Sequence, residues 1–151
     1  MILVSGDVER HIRAEGEKWY PDECCGFLLG QIDESGRRRV EDILPVPNAG
    51  QAEERHHRFR IEPDDFMRAE RQARLRGLDV IGFYHSHPDH PATPSEYDRE
   101  QALPFYSYVI LSVRRGASAE ISSWELSGDR ALFNHEELEC AAQHRARKRR
   151  Y

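Results

Sequence analysis

No long apolar run exists in this sequence. Nothing approaches the ~18 consecutive apolar residues that a membrane-spanning helix needs, and the mean hydropathy is −0.79. The first residues, Met1-Ile-Leu-Val-Ser5, show no basic n-region, no extended apolar stretch and no small-residue cleavage site, so no signal peptide is expected. Cysteine is scarce: three residues in 151, two of them adjacent (Cys24 and Cys25). An odd count with that spacing makes no disulfide framework. It reads as small buried thiols in a reducing, cytoplasmic setting. Basic charge is not in excess either, with 22 Lys and Arg against 27 Asp and Glu, a net −5. Five of the basic groups fall in the last seven positions, so residues 1–144 alone stand at −10. An acidic body speaks against nucleic acid, whose binding rests on phosphate neutralisation. Repeats, low-complexity linkers and composition breaks are absent too. The expectation is one domain over residues 1–140, then a basic, disordered tail over 141–151.

What is present is concentrated in His85-Ser86-His87-Pro-Asp89-His90-Pro-Ala-Thr93-Pro94-Ser95-Glu96-Tyr97-Asp98. The preceding Leu78–Tyr84 is β-branched and aromatic and predicts a buried strand. Residues i and i+2 share a strand face, so His85 and His87 aim at one point, while Ser86 faces the other side as a core hydroxyl. Thr93-Pro94-Ser95-Glu96 predicts a helix start, with Thr93 at the N-cap, Pro94 at N1 and Glu96 closing a capping box. Ser95 and Asp98, three apart, then lie on one helical face. Two neutral imidazole nitrogens (His85, His87) and one carboxylate oxygen (Asp98) make a three-ligand zinc set with its fourth position open, the form of a hydrolytic site.

Such a site also needs a proton carrier. Glu23, at the entrance to the apolar run Cys24–Gly30, is the candidate, because burial there raises a carboxylate toward the working range of a general base. Ser95 is placed to donate to the oxyanion of a tetrahedral intermediate.

These residues resemble the JAMM metalloprotease family, the MPN+ domain. Its pattern is a glutamate, then His-x-His, seven residues, Ser, two residues, Asp, and Glu23, His85, His87, Ser95 and Asp98 match it throughout. The lead-in Pro21-x-Glu23-x-Cys25-Gly26-x-Leu28-Leu29-Gly30, together with Asn48 and Phe59-Arg-Ile-Glu-Pro63, is similar to the bacterial stand-alone members. The likeness runs over about residues 1–127. It implies an α+β, cytidine-deaminase-like single domain, a curved mixed sheet flanked by helices, with one zinc per chain at a strand end and helix N-terminus. It implies a peptidase or isopeptidase that cuts after the C-terminal Gly-Gly of a ubiquitin-like, β-grasp sulfur-carrier protein.

Two other readings stand beside it. One is a non-catalytic MPN scaffold, although such domains typically lack some of the ligands. The other takes His85-x-His87-x-Asp89-His90 as a metallo-β-lactamase signature, with Asp89 and His90 binding a second metal. That fold needs more chain and more downstream ligands than His135 and His144 supply.

The remaining pattern predicts a helix over residues 7–20, strands over 24–31 and 38–44, and a loop from Pro45 to His57. It then gives a short strand over 59–62 and a helix over 64–76 with Phe66, Ala69, Ala73 and Leu75 inward. Strands follow over 106–113 and 120–126, then a turn at 127–129 and an edge strand over 130–133. Residues 136–149 read equally well as a helix. Trp19 and Trp124 are read as core, Tyr97 as packing beside the short helix, and His56 and His57 as solvent-facing.

Overall fold

The computed structural model describes residues 1–141. The chain begins with β1 (Ile2–Ser5), whose last residue caps α1 (Gly6–Trp19) by accepting from the Val8 N–H. β2 (Cys25–Ile32) and β3 (Arg38–Val46) form an antiparallel pair, and α2 (Pro63–Leu75) starts on its proline at the first turn. The sequence motif lies on β4 (Asp79–Pro88) and α3 (Glu96–Gln101). β5 (Ser107–Arg114), β6 (Ala117–Leu126), β7 (Phe133–Glu136) and β8 (Leu138–Ala141) complete the described chain.

These strands form one mixed sheet in the order β7-β6-β5-β4-β2-β3-β1-β8. Its two outermost strands are separated in sequence only by Glu137, so the sheet curls until its ends nearly meet. Ile2 N–H donates to the Glu137 carbonyl at that seam (2.9 Å). α1 covers one face, over a core of Ile2, Val4, Ile12, Leu28, Tyr84 and Leu111. α2 covers the other, where Ala69 and Ala73 meet Phe27, Leu29, Phe83 and Tyr108. β4 runs through the middle of the sheet, antiparallel to β2 and parallel to β5. Its histidines therefore ride on a strand braced from both sides.

The α+β architecture and most elements are those the sequence predicts, and the departures have local causes. β1 and β8 were not expected, since four residues are too short for a period to show. Phe59–Glu62 joins no ladder, because the Asn48 side chain takes the position of a partner strand and accepts from Arg60 N–H (3.1 Å). The edge strand begins at Phe133 rather than at residue 130. Asp129 holds a longer turn there by accepting from Ser127 Oγ and Ala131 N. Trp19 and Leu75 are exposed (45 % and 83 %) rather than core, each at the last residue of its helix, where the apolar stripe has rotated off the sheet. The helix alternative over 136–149 fails where it is described, since Glu136 ends β7 and Leu138–Ala141 form β8; its remainder, and the 141–151 tail beyond Ala141, lie outside the described residues.

Candidate functional site

At the end of β4 the sheet delivers what alternation promised. His85 and His87 lie on the α2 face, and Ser86, fully buried on the α1 face, accepts from Cys24 N–H (2.8 Å). The helix that follows differs from expectation. The N-cap of α3 is Ser95 rather than Thr93, and the capping box pairs Ser95 with Asp98 rather than Thr93 with Glu96. Both pairs have the right spacing. The later register is chosen because Asp98 then uses one oxygen for two tasks: Oδ2 accepts from Ser95 N–H (2.9 Å) and faces both imidazoles.

The three candidate donors converge tightly. His85 Nε2 and His87 Nε2 are 3.1 Å apart, and Asp98 Oδ2 is 3.2 Å from the first and 3.1 Å from the second. His87 Nδ1 donates to the Pro91 carbonyl (2.8 Å), so in the neutral ring the proton sits there and Nε2 offers its lone pair. Three lone-pair atoms at such separations repel one another unless a proton or a metal ion lies among them. A tetrahedral ion with N and O ligands at 2.0–2.1 Å spaces them by about 3.3 Å. The donor set fits a small divalent metal.

A second carboxyl competes for the same imidazoles. Ligand atoms of Glu23, His85 and His87 all lie within 4.8 Å of one another. Glu23 is only 3 % exposed, and its Oε1 has no hydrogen-bond partner among the described residues. Burial, with the Asp98 carboxylate nearby as a lesser cause, holds the Glu23 carboxyl well above its ordinary range. Asp98 goes the other way. Burial would raise it, but His85 and His87 more than reverse that and keep it charged. Burial lowers His85, which favours the neutral imidazole that a metal requires. Of the two carboxyls, Asp98 is thus held toward its charged form and Glu23 toward its protonated one.

Two cavities flank the donors. One, of about 470 Å³, is lined by Glu23, His87 and Ser95 with His57, His90 and Tyr97. The other, of about 630 Å³, is mostly apolar and reaches from His85 and Asp98 to Phe59, Ile61, Phe66 and Leu103. The Phe59 ring stacks on His85 (4.5 Å between centroids), and Arg58 lies over the Tyr97 ring (4.6 Å). Neither contact was legible in the sequence, since each joins side chains far apart along the chain. Ser95 Oγ accepts from Asp98 N–H (3.1 Å), which leaves its own O–H free to donate.

Asp89 does not join the donors. Its carboxylate accepts from Tyr20 O–H (2.6 Å) and Arg115 N–H (2.7 Å), and its backbone adopts φ 57° to reach them. The two-metal reading therefore loses a ligand. His90 lines the smaller cavity, while His135 meets the Trp124 ring edge-to-face far along the chain. His56 and His57 are exposed as expected, with His57 also on the cavity wall.

Comparison with known proteins bears on the family. The family model described as prokaryotic homologues of the JAB domain matches residues 5–127. A curated relative named desampylase, from Haloferax volcanii, is 34 % identical over 110 residues, covering 72 % of this chain and 73 % of its own. A probable TtuB-protein conjugate cleaving protease from Thermus thermophilus is 34 % identical over 76 residues, half of each chain. Among solved structures, a protein from Salinibacter ruber superposes with TM-score 0.74 at 42 % identity, over 93 % of this chain and 92 % of that one. The chain is a member of the prokaryotic JAB family, a JAMM/MPN-type domain.

Proposed function

We propose that the chain is a zinc-dependent peptidase or isopeptidase that hydrolyses the bond following the C-terminal Gly-Gly of a ubiquitin-like sulfur-carrier protein. The observation that carries this reading is the triangle of His85, His87 and Asp98 donor atoms, 3.1–3.2 Å on a side, with a buried Glu23 carboxyl oxygen within 4.8 Å of a ring nitrogen of each histidine. In it, His85, His87 and Asp98 hold the ion. Zinc bound there supplies Lewis acidity, polarising a carbonyl and bringing a water's pKa to about 7.

The chain's own residues do the rest. Glu23 takes the proton of the attacking water and hands it to the leaving amine, a task suited to a carboxyl whose pKa burial has raised. Ser95, its oxygen fixed by the cap, donates its O–H to the oxyanion. The His87–Pro91 bond keeps the ring oriented.

The substrate assignment rests on the names of the two relatives, which specify desampylation and conjugate cleavage for those proteins. It also rests on an open backbone edge. Arg58 and Arg60 turn their carbonyls to Asn48 and Ala49, whereas among the described residues the Phe59 and Ile61 backbones take no hydrogen bond. An extended Gly-Gly tail adding along that edge passes directly beside His85. A carrier of this kind, and three free cysteines, suit the cytoplasm. No described helix is long and apolar enough to cross a membrane.

The test is to load the protein with zinc and present carrier fusions that extend beyond Gly-Gly, reading the products by mass. Cleavage after the second glycine, lost on chelation, is the expected result. Metal-free protein that stays folded and binds carriers without cutting them would favour the scaffold reading.

A further inference from the structure

Asn48 stands between Glu23 and the loop that walls both cavities, and it spends its whole hydrogen-bonding capacity there. Its Nδ2 donates to the carbonyls of Glu23 (3.1 Å) and Arg58 (2.9 Å). Its Oδ1 accepts from the N–H groups of Gly50 (2.9 Å) and Arg60 (3.1 Å). A primary amide has two donors and two strong acceptor directions. Four backbone partners fill them and fix which way the amide faces.

Glu23 has no comparable grip on its own carboxyl, whose Oε1 is unpartnered among the described residues. Its aim is therefore set through its backbone. The Glu23 N–H donates to the Arg55 carbonyl (2.7 Å), and its carbonyl is held by Asn48. Both of those grips come from the 48–60 segment. That segment supplies His57 and Arg58 to the smaller cavity and Phe59 and Arg60 to the larger.

We propose that Asn48 is a positioning residue that ties the aim of Glu23 to occupancy of the substrate loop. A chain seated along Phe59–Ile61 bears on Arg58 and Arg60, whose backbone groups Asn48 bridges to Glu23. The proton carrier is then brought to its working position most fully by a substrate long enough to engage the loop, a form of induced fit. This rests on the reading of Glu23 as the general base.

Asn48→Asp separates the roles. It is isosteric and keeps acceptors for Gly50 and Arg60, but it removes both donors and sets an oxygen against the carbonyls of Glu23 and Arg58. Zinc-loaded Asn48→Asp, Asn48→Ser and Glu23→Gln are compared on a ubiquitin-like carrier fused after Gly-Gly to a short extension. The expected result for Asn48→Asp is one zinc per chain, a lowered melting temperature with the protein still folded under assay conditions, KM within about threefold and kcat lower by about a hundredfold, the scale of an ångström-level misplacement. Asn48→Ser, which retains one acceptor, gives the same split if the aspartate does not fold. Full kcat in the Asn48 variants beside an inactive Glu23→Gln overturns the coupling and leaves the base assignment standing. Loss of zinc in step with activity also overturns it, because Asn48 would then be merely structural. An active Glu23→Gln overturns the reading of the site itself.

Discussion

His87 Nδ1 lies 2.8 Å from the carbonyl oxygen of Pro91, four residues further along the same loop. In the neutral ring that one contact fixes the tautomer and turns the Nε2 lone pair toward His85 and Asp98. The loop is itself tied down: the His90 carbonyl accepts from Ser112 Oγ (2.6 Å), and the Ala92 carbonyl accepts from Ser122 Oγ and Trp124 Nε1. The loop that orients His87 is thus held by the sheet itself.

Metal binding should depend on the charge of Asp98 more than on its shape. Asp98→Asn retains an acceptor for the Ser95 N–H and so keeps the cap, but it removes the anion. The expected outcome is a folded protein that retains little zinc after dialysis, measured by elemental analysis, and His87→Ala should behave likewise. In the wild type, chelation should lower the thermal midpoint, since a ligand at a hundred times its Kd stabilises the folded state by about 2.7 kcal/mol. A midpoint unmoved by chelator would contradict the assignment.

Ser95 has two roles that substitution can pull apart. Glycine is nearly as good an N-cap as serine, costing only a few tenths of a kcal/mol, whereas alanine costs about 1 kcal/mol. Neither has a hydroxyl to offer an oxyanion. Ser95→Gly should therefore leave the denaturation midpoint close to wild type while kcat falls by about 10²–10³. A glycine variant that turns over normally would reduce Ser95 to a cap.

The sequence shows some of these features and hides others for physical reasons. The two histidines were readable because strand alternation is a strict period of two, and Ser86 on the opposite face followed from the same rule. The capping box was readable as chemistry but not in register, because Thr93-x-x-Glu96 and Ser95-x-x-Asp98 are both valid boxes. What decides between them is the pull of two imidazoles on Asp98, a tertiary effect. Phe59 stacking on His85, Asn48 gripping Glu23 and Tyr20 holding Asp89 join residues 26, 25 and 69 positions apart through irregular backbone. No local pattern encodes such contacts. The nearly closed sheet was hidden because β1 and β8 are four residues each and pair only with distant strands.

Gly82 should be irreplaceable for a reason of space. A Cβ built there would lie 2.3 Å from the Ser107 carbonyl oxygen, a backbone atom of the adjoining parallel strand. β4 and β5 would have to separate just where the sheet aligns the histidine-bearing strand. Gly82→Ala is expected to destabilise by about 3 kcal/mol, read by urea denaturation. Gly128→Ala, where a Cβ meets nothing within 4 Å, should change stability by less than about 0.5 kcal/mol. Equal effects at the two positions would mean that β5 yields more easily than this packing implies.

Glu23 should leave a signature in the pH dependence of stability of the metal-free protein. Burial raises its folded-state pKa above the unfolded value of about 4.3. Below that unfolded value the carboxyl is protonated in both states, and the folded protein has its full stability. As pH rises above it, the unfolded chain gives up the proton while the folded chain keeps it. The folded state then binds more protons than the unfolded one, and stability falls by linkage until pH passes the folded-state pKa. Glu23→Gln cannot ionise and lacks this loss. Apo Glu23→Gln should therefore become progressively more stable than apo wild type from about pH 4.3 upward, with the gap levelling off once Glu23 is ionised in both states. Urea denaturation at a series of pH values reads this difference directly. Parallel curves for the two proteins would show that Glu23 is not desolvated in the folded state, and the case for it as the proton carrier would lose its physical basis.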